Sequence, residues 1–160
     1  MNLDLTGKTA IVCGSTQGLG YASAVELALL GATVVLMARN EVRLQEKVKT
    51  LDTKYGQKHS YLVADFDEPH NVKQAMDGFI AAGNTAQILV NNTGGPAGGT
   101  ALEASPEAFL KAFNSHLICN QYLVQALVPG MKANCFGRII NIISISVKQP
   151  IPGLGVSNTI

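Results

Sequence analysis

Five short apolar runs, each separated from the next by a stretch of helical character, narrow the fold more than any other property of the chain. The runs cover 8–13 (KTAIVC), 33–38 (TVVLMA), 60–64, 87–91 and 138–144 (RIINIIS). The second of them, apolar and β-branched, is what a strand buried on both faces of a parallel sheet requires. Between the runs lie helix patterns over 18–30, 41–55, 69–82 and 106–133, with Val42, Leu44, Val48 and Leu51 giving the second its amphipathic period. Gly31 and Gly56 close the first two helices. Ser105 followed by Pro106 reads as an N-cap with proline at the first helical position, and Pro129 with Gly130 should slow that helix near its end. Strands alternating with helices imply right-handed crossovers and a parallel sheet with helices on both faces. The expected class is therefore α/β, a doubly wound parallel sheet (Rossmann fold) with five strands, in one domain spanning 1–160.

Composition agrees with that class. Hydrophobic residues make up 47% and charged ones 14% of 160 residues, which suits a packed core and excludes disorder. A net charge of +1 gives no field for nucleic acid or a membrane surface. Met1 to Lys8 lacks the features of a signal peptide, and no apolar run approaches the roughly 20 residues of a membrane span, so a cytoplasmic protein is expected. Cys13, Cys119 and Cys135 are odd in number and lack C-x-x-C spacing, which argues against disulfides or a metal site. They read as small core residues, with a reactive thiol as the alternative.

The first strand runs into Gly14-Ser15-Thr16-Gln17-Gly18-Leu19-Gly20, a glycine-rich turn opening a helix. At such a junction glycines let the backbone approach a pyrophosphate, and the first helical amides face it. Gly14, Ser15, Gly18, Leu19 and Gly20 are thus candidate cofactor-binding residues; the plain alternative is tight turning and close helix packing. At the end of the second strand, where an acid would accept from a ribose hydroxyl, stand Ala38 and Arg39. A guanidinium suits a 2′-phosphate, so the cofactor expected is NADP(H); otherwise Arg39 is a solvated charge entering the next helix.

These residues resemble the short-chain dehydrogenase/reductase family, in particular 3-oxoacyl-carrier-protein reductases, from Leu5 to the last residue. Gly14, Gly18 and Gly20 match the family's T-G-x-x-x-G-x-G with Cys13 in the threonine's place, Asp65 its adenine-contacting acid, and Asn91-Asn92-Thr93-Gly94 its N-N-A-G. The resemblance implies cofactor contacts from Asp65, Asn91 and Gly94. Asp65 could instead cap a loop, Asn91 bond a neighbouring strand, and 92–95 be a turn. It further implies hydride transfer to a small-molecule carbonyl, with a tyrosine as acid, a lysine beside it, a serine orienting substrate and an asparagine holding a relay water. Ser144 matches the serine. The tyrosine slot holds Ser157, the asparagine slot His116, and the lysine slot lies beyond Ile160. Ser144, Ser157 and His116 are therefore the candidate catalytic set, with His116 the one group that titrates near neutrality.

Family members usually continue for roughly another hundred residues, so an incomplete reductase domain is expected. A homo-oligomer is expected too, with Phe109, Phe113 and Leu117 forming a partner face or packing on the sheet. A non-catalytic dinucleotide-binding sensor or interaction module is the rival reading, favoured by the missing tyrosine. A nucleotide-sugar epimerase relative fits less well because of its different glycine spacing.

Overall fold

A computed structural model describes residues 3–160; Met1 and Asn2, at the start of the Met1–Lys8 stretch, lie outside the described residues. Five parallel strands, β1 (Thr9–Cys13), β2 (Thr33–Ala38), β3 (Ser60–Val63), β4 (Ile88–Asn91) and β5 (Arg138–Asn141), form one sheet in the order β3-β2-β1-β4-β5. Strand pleat divides the central side chains between two cores. Ile11, Cys13, Val35, Met37 and Leu89 face α3 (Pro69–Ala81) and α5 (Cys119–Ala133), meeting Val72, Met76, Leu123 and Leu127. Ala10, Val12, Val34, Leu36, Ile88 and Val90 face the other way, against Ala24 and Ala28 of α1 (Gly18–Leu29) and Leu44 of α2 (Glu41–Val48). The doubly wound parallel sheet expected from the strand–helix alternation is the observed fold.

Three helical boundaries differ from the sequence pattern. The helix expected over 41–55 ends at Val48, because Leu51 is buried and the Asp52 side chain accepts from the Lys54 amide at 2.9 Å, closing a turn. The helix expected over 106–133 is α4 (Pro106–Phe113), a π-helical turn (Asn114–Ile118) and α5. Pro129 lies inside α5 without ending it. The buried line runs Ala112, Ser115, Cys119, Leu123, Leu127 and Met131, so Phe113 and Leu117 point outward, 41% and 52% exposed, and do not pack on the sheet.

Strand β5 is shorter than its 138–144 run, and all four of its residues are exposed at the sheet edge. Cys13 and Cys119 are buried, and desolvation pushes both thiols up, Cys119 to about 11, as inert core residues require. Cys135 corrects the reading of three core cysteines. It is exposed, because it sits in the turn just past α5, in the left-handed backbone region (φ +50°) with its amide donating to the Lys132 oxygen at 3.1 Å. No helix among the described residues is long and apolar enough to cross a membrane.

Leu89 is fully buried at the centre of β4, paired in register with Ile11 and Ile139. Leu89→Ala should lower the unfolding free energy by about 2–5 kcal/mol, read from urea denaturation.

Candidate functional site

Between β1 and β4 the strand order reverses direction, and the loops leaving the strands' carboxyl ends part to leave a crevice. A cavity of about 500 Å³ fills it, walled by the β1–α1 turn, the segments after β2 and β3, the Gly-rich segment after β4, and the α4 and π-helical turns.

The β1–α1 turn fits against Asn92 so closely that side chains are excluded. A Cβ on Gly14 would lie 2.6 Å from the Asn92 carbonyl oxygen, and one on Gly20 would lie 2.7 Å from Asn92 Nδ2 and 2.9 Å from the Cys13 oxygen. Asn92 Nδ2 donates to the carbonyls of Cys13 (3.2 Å) and Gly14 (3.3 Å). Gly18 meets a different requirement: a Cβ there would have open space, but its φ of +57° is left-handed. The N-cap Gln17 is extended and makes no side-chain cap, which leaves the first-turn amides of α1 for an anion.

Ser15 is buried and turned away from the crevice. Its Oγ accepts from the Met37 amide at 2.9 Å, tying the turn to β2, and Leu19 is 66% exposed with its side chain outside the cavity lining.

At the far end Asp67 stands between two cations. Its Oδ2 lies 2.9 Å from Lys111 Nζ and 3.8 Å from Arg39 Nη1, and Ser115 Oγ donates to its Oδ1 at 3.4 Å. The Arg39 side chain is 72% exposed, so this pairing is worth only about 0–1 kcal/mol and leaves the guanidinium free to turn toward a ligand. Asp65 lines the cavity and also accepts from the Asp67 amide at 3.0 Å, so it caps its loop while facing the crevice. Asn91 does not line the cavity; its Nδ2 donates to Asn141 Oδ1 at 2.8 Å and ties β4 to β5. Gly94 does line it, with open space where a Cβ would stand.

Of the three candidate catalytic residues only His116 reaches the crevice. It sits in the π-helical turn with Nδ1 2.7 Å from Thr93 Oγ1, and burial lowers its pKa from the ordinary histidine value. Ser144 is exposed, its Oγ accepting from the Ser146 amide at 3.1 Å as the cap of a short 3₁₀ turn (Ile145–Val147), while Ser146 is the buried serine. Ser157 is half-buried in the terminal turns. Neither Ser144 nor Ser157 lines the cavity. The terminal turns that hold Ser157 bond the end of the Gly-rich segment outside the cavity lining, with Gly99 N donating to the Gly153 oxygen at 2.8 Å. Among the described residues no group of three His, Cys, Asp or Glu side chains gathers as a metal site would require.

Asn92, Thr93, Asp67 and Lys111 shape the site as well. Asn92 and Thr93 lie within a motif already singled out, but Asp67 and Lys111 carry no local signal, since their pairing depends on the packing of α4 beside the loop after β3.

A family model for short chain dehydrogenases matches residues 8–156. The chain belongs to the short-chain dehydrogenase family. It is 34% identical over 151 residues to a 3-oxoacyl-[acyl-carrier-protein] reductase of Rickettsia conorii, covering 94% of this chain and 59% of that protein. It is 31% identical over 150 residues to the inactive hydroxysteroid dehydrogenase-like protein 1 of Homo sapiens, covering 92% of this chain and 45% of that one. Among solved structures it superposes on L-sorbose reductase from Gluconobacter frateurii, complexed with NADPH and L-sorbose, with a TM-score of 0.91 and 33% identity, over 99% of this chain and 60% of that one. The short-chain dehydrogenase chain described here thus spans between under half and about three fifths of these relatives' lengths.

Desolvation disfavours the imidazolium of His116, so the folded chain keeps it neutral where the unfolded chain would protonate it. As pH falls from neutral through about 6.5 toward the lowered folded value, the unfolded state takes up a proton first and stability drops. The fall in urea midpoint between about pH 7.5 and about pH 5.5 should accordingly be smaller in His116→Gln than in the parent.

Proposed function

We propose that this chain is the cofactor-binding part of an NADP(H)-dependent reductase, one domain over residues 1–160, acting on the carbonyl of a small ketone or a 3-oxoacyl thioester. One observation carries the reading: an uncapped helix N-terminus, a turn with no room for side chains at Gly14 and Gly20, and the exposed Arg39 all border one crevice. The NADPH held by the related L-sorbose reductase supports it. When bound, the dinucleotide supplies the hydride. The backbone of 14–20, with its α1 amides, holds the pyrophosphate, Arg39 the 2′-phosphate, and Asp65 the adenine, while Gly94 keeps a wall open. Asn91 acts indirectly by fixing the end of β4.

Reduction also puts a proton on the carbonyl oxygen, and an acid does this best when its pKa lies near the working pH. A tyrosine starts near 10 and can be tuned downward by a cation; the hydroxyls of Ser157 and Ser144 are far weaker acids. His116 is the proton donor in this reading. Because burial holds its pKa low, the imidazolium is scarce at neutral pH and turnover is slow there, rising as pH falls.

The second reading, a dinucleotide-binding sensor or interaction module without turnover, is favoured by the position of both serines outside the cavity and by the relative named inactive. Self-association through the face of Phe109, Phe113 and Leu117 accompanies either reading: Phe113 and Leu117 are exposed and Phe109 is half-buried beside the exposed Leu110.

Calorimetric titration should give tighter binding of NADPH than of NADH. Arg39→Ala should weaken NADPH by about 10- to 150-fold, the range of a charge-assisted hydrogen bond, and leave NADH unchanged. Equal affinities in the parent would sink the NADP assignment. Gly18→Val should lose both nucleotides while keeping its circular dichroism, because no β-branched residue tolerates φ of +57° at the anion site.

With small ketones or 3-oxoacyl thioesters, NADPH oxidation should be slow in the parent and slower in His116→Ala. Rapid turnover that survives His116→Ala would refute the histidine donor. Binding with no turnover in the intact protein would favour the second reading.

A further inference from the structure

His116 sits in the π-helical turn Asn114–Ile118, where the extra residue interrupts the regular ladder between α4 and α5, and it lines the crevice. Its Nδ1 lies 2.7 Å from Thr93 Oγ1, while among the described residues Nε2 has no protein partner. Hydrogen-bond accounting distinguishes the two neutral tautomers. Among the described residues Thr93 Oγ1 has no other partner, so Nδ1 is the one protein acceptor in reach of its hydrogen. If Nδ1 carried the proton and donated to Thr93, the half-buried threonine hydrogen would have no protein acceptor and would depend on solvent in the crevice. If Thr93 donates, both groups are satisfied and the ring's hydrogen is on Nε2.

We propose that Thr93 is a positioning residue that fixes the neutral His116 ring with hydrogen on Nε2, making it an oriented donor to an uncharged oxygen, such as a carbonyl, in the crevice. The inference rests on the reading of the crevice as a reductase site for its ligand class only; the tautomer itself depends on the two side chains. The lowered pKa agrees with a ring that is neutral near pH 7. A neutral ring held this way polarises a carbonyl by hydrogen bonding, and protonation of the same ring at lower pH supplies the mobile proton.

The test is the ring-nitrogen spectrum of the ¹⁵N-labelled chain at neutral pH, with His116 assigned against His116→Gln. In the parent Nε2 should carry the hydrogen and Nδ1 should show the shift of an acceptor. Thr93→Ser should keep that pattern, and Thr93→Val, similar in shape without the hydroxyl, should drift toward the mixed tautomers of a free imidazole. A parent ring with its hydrogen on Nδ1, or an unchanged pattern in a folded Thr93→Val, would overturn the proposal. NADPH titration of the same samples separates the two ideas: failure of the parent to bind NADPH counts against the reductase reading, whereas the tautomer pattern judges Thr93.

Discussion

The end of β4 and the turn after β1 meet at a contact that leaves space for hydrogen atoms and nothing larger at Gly14 and Gly20, and the geometry of the crevice descends from it. Asn92 both fills that space and bonds it, donating to the carbonyls of Cys13 and Gly14. A side chain at either glycine would push the turn from β4 and swing the first turn of α1 with it. Held in place, α1 presents uncapped amides to the crevice, and the residue after Asn92 is the threonine that meets His116. The same few atoms therefore set the anion site and one partner of the titrating group.

Sheet architecture was legible in the sequence because it is written in local periods. Apolar runs too dense for one-sided strands implied burial on both faces, and the two cores divide alternate residues of β1, β2 and β4 between them. What periodicity could not reveal were features decided by competition. The helix through 106–133 carries an unbroken apolar pattern, so the π-helical turn is invisible to it; yet that turn helps to place Phe113 and Leu117 on the outside. Likewise the apolar pattern continues past Val48 through Leu51, and it is the Asx turn at Asp52 that wins.

Within the site, legibility followed the same division. Gly14, Gly18, Gly20 and Arg39 announce themselves because backbone freedom and charge at a strand end have few other uses. The structure adds that the three glycines answer two needs, close approach at Gly14 and Gly20 and a left-handed backbone at Gly18 as well as Gly14. The Ser15 side chain is spent on β2, which its place in the glycine-rich turn does not announce, and the Asn91 side chain bonds the neighbouring strand, as its plain alternative expects. Asp67 and Lys111 were missed because an ion pair between separate elements has no signature in either segment. Ser144 and Ser157 lie outside the crevice, so resemblance alone supports their roles.

Grip on a dinucleotide and delivery of a proton depend on different physics here. Anion binding as proposed would draw on backbone amides fixed by packing and on an exposed cation that reorients at little cost. Proton delivery has no such redundancy: it needs one group with the right pKa at one place, and desolvation at His116 works against the charged form that would give up a proton. A neutral ring aimed by Thr93, as proposed above, would reconcile burial with usefulness, because a hydrogen-bond donor needs no charge. On that proposal the burial that lowers the imidazole's pKa favours the neutral donor and makes the ring a scarcer acid, so the two roles would pull against each other as pH changes.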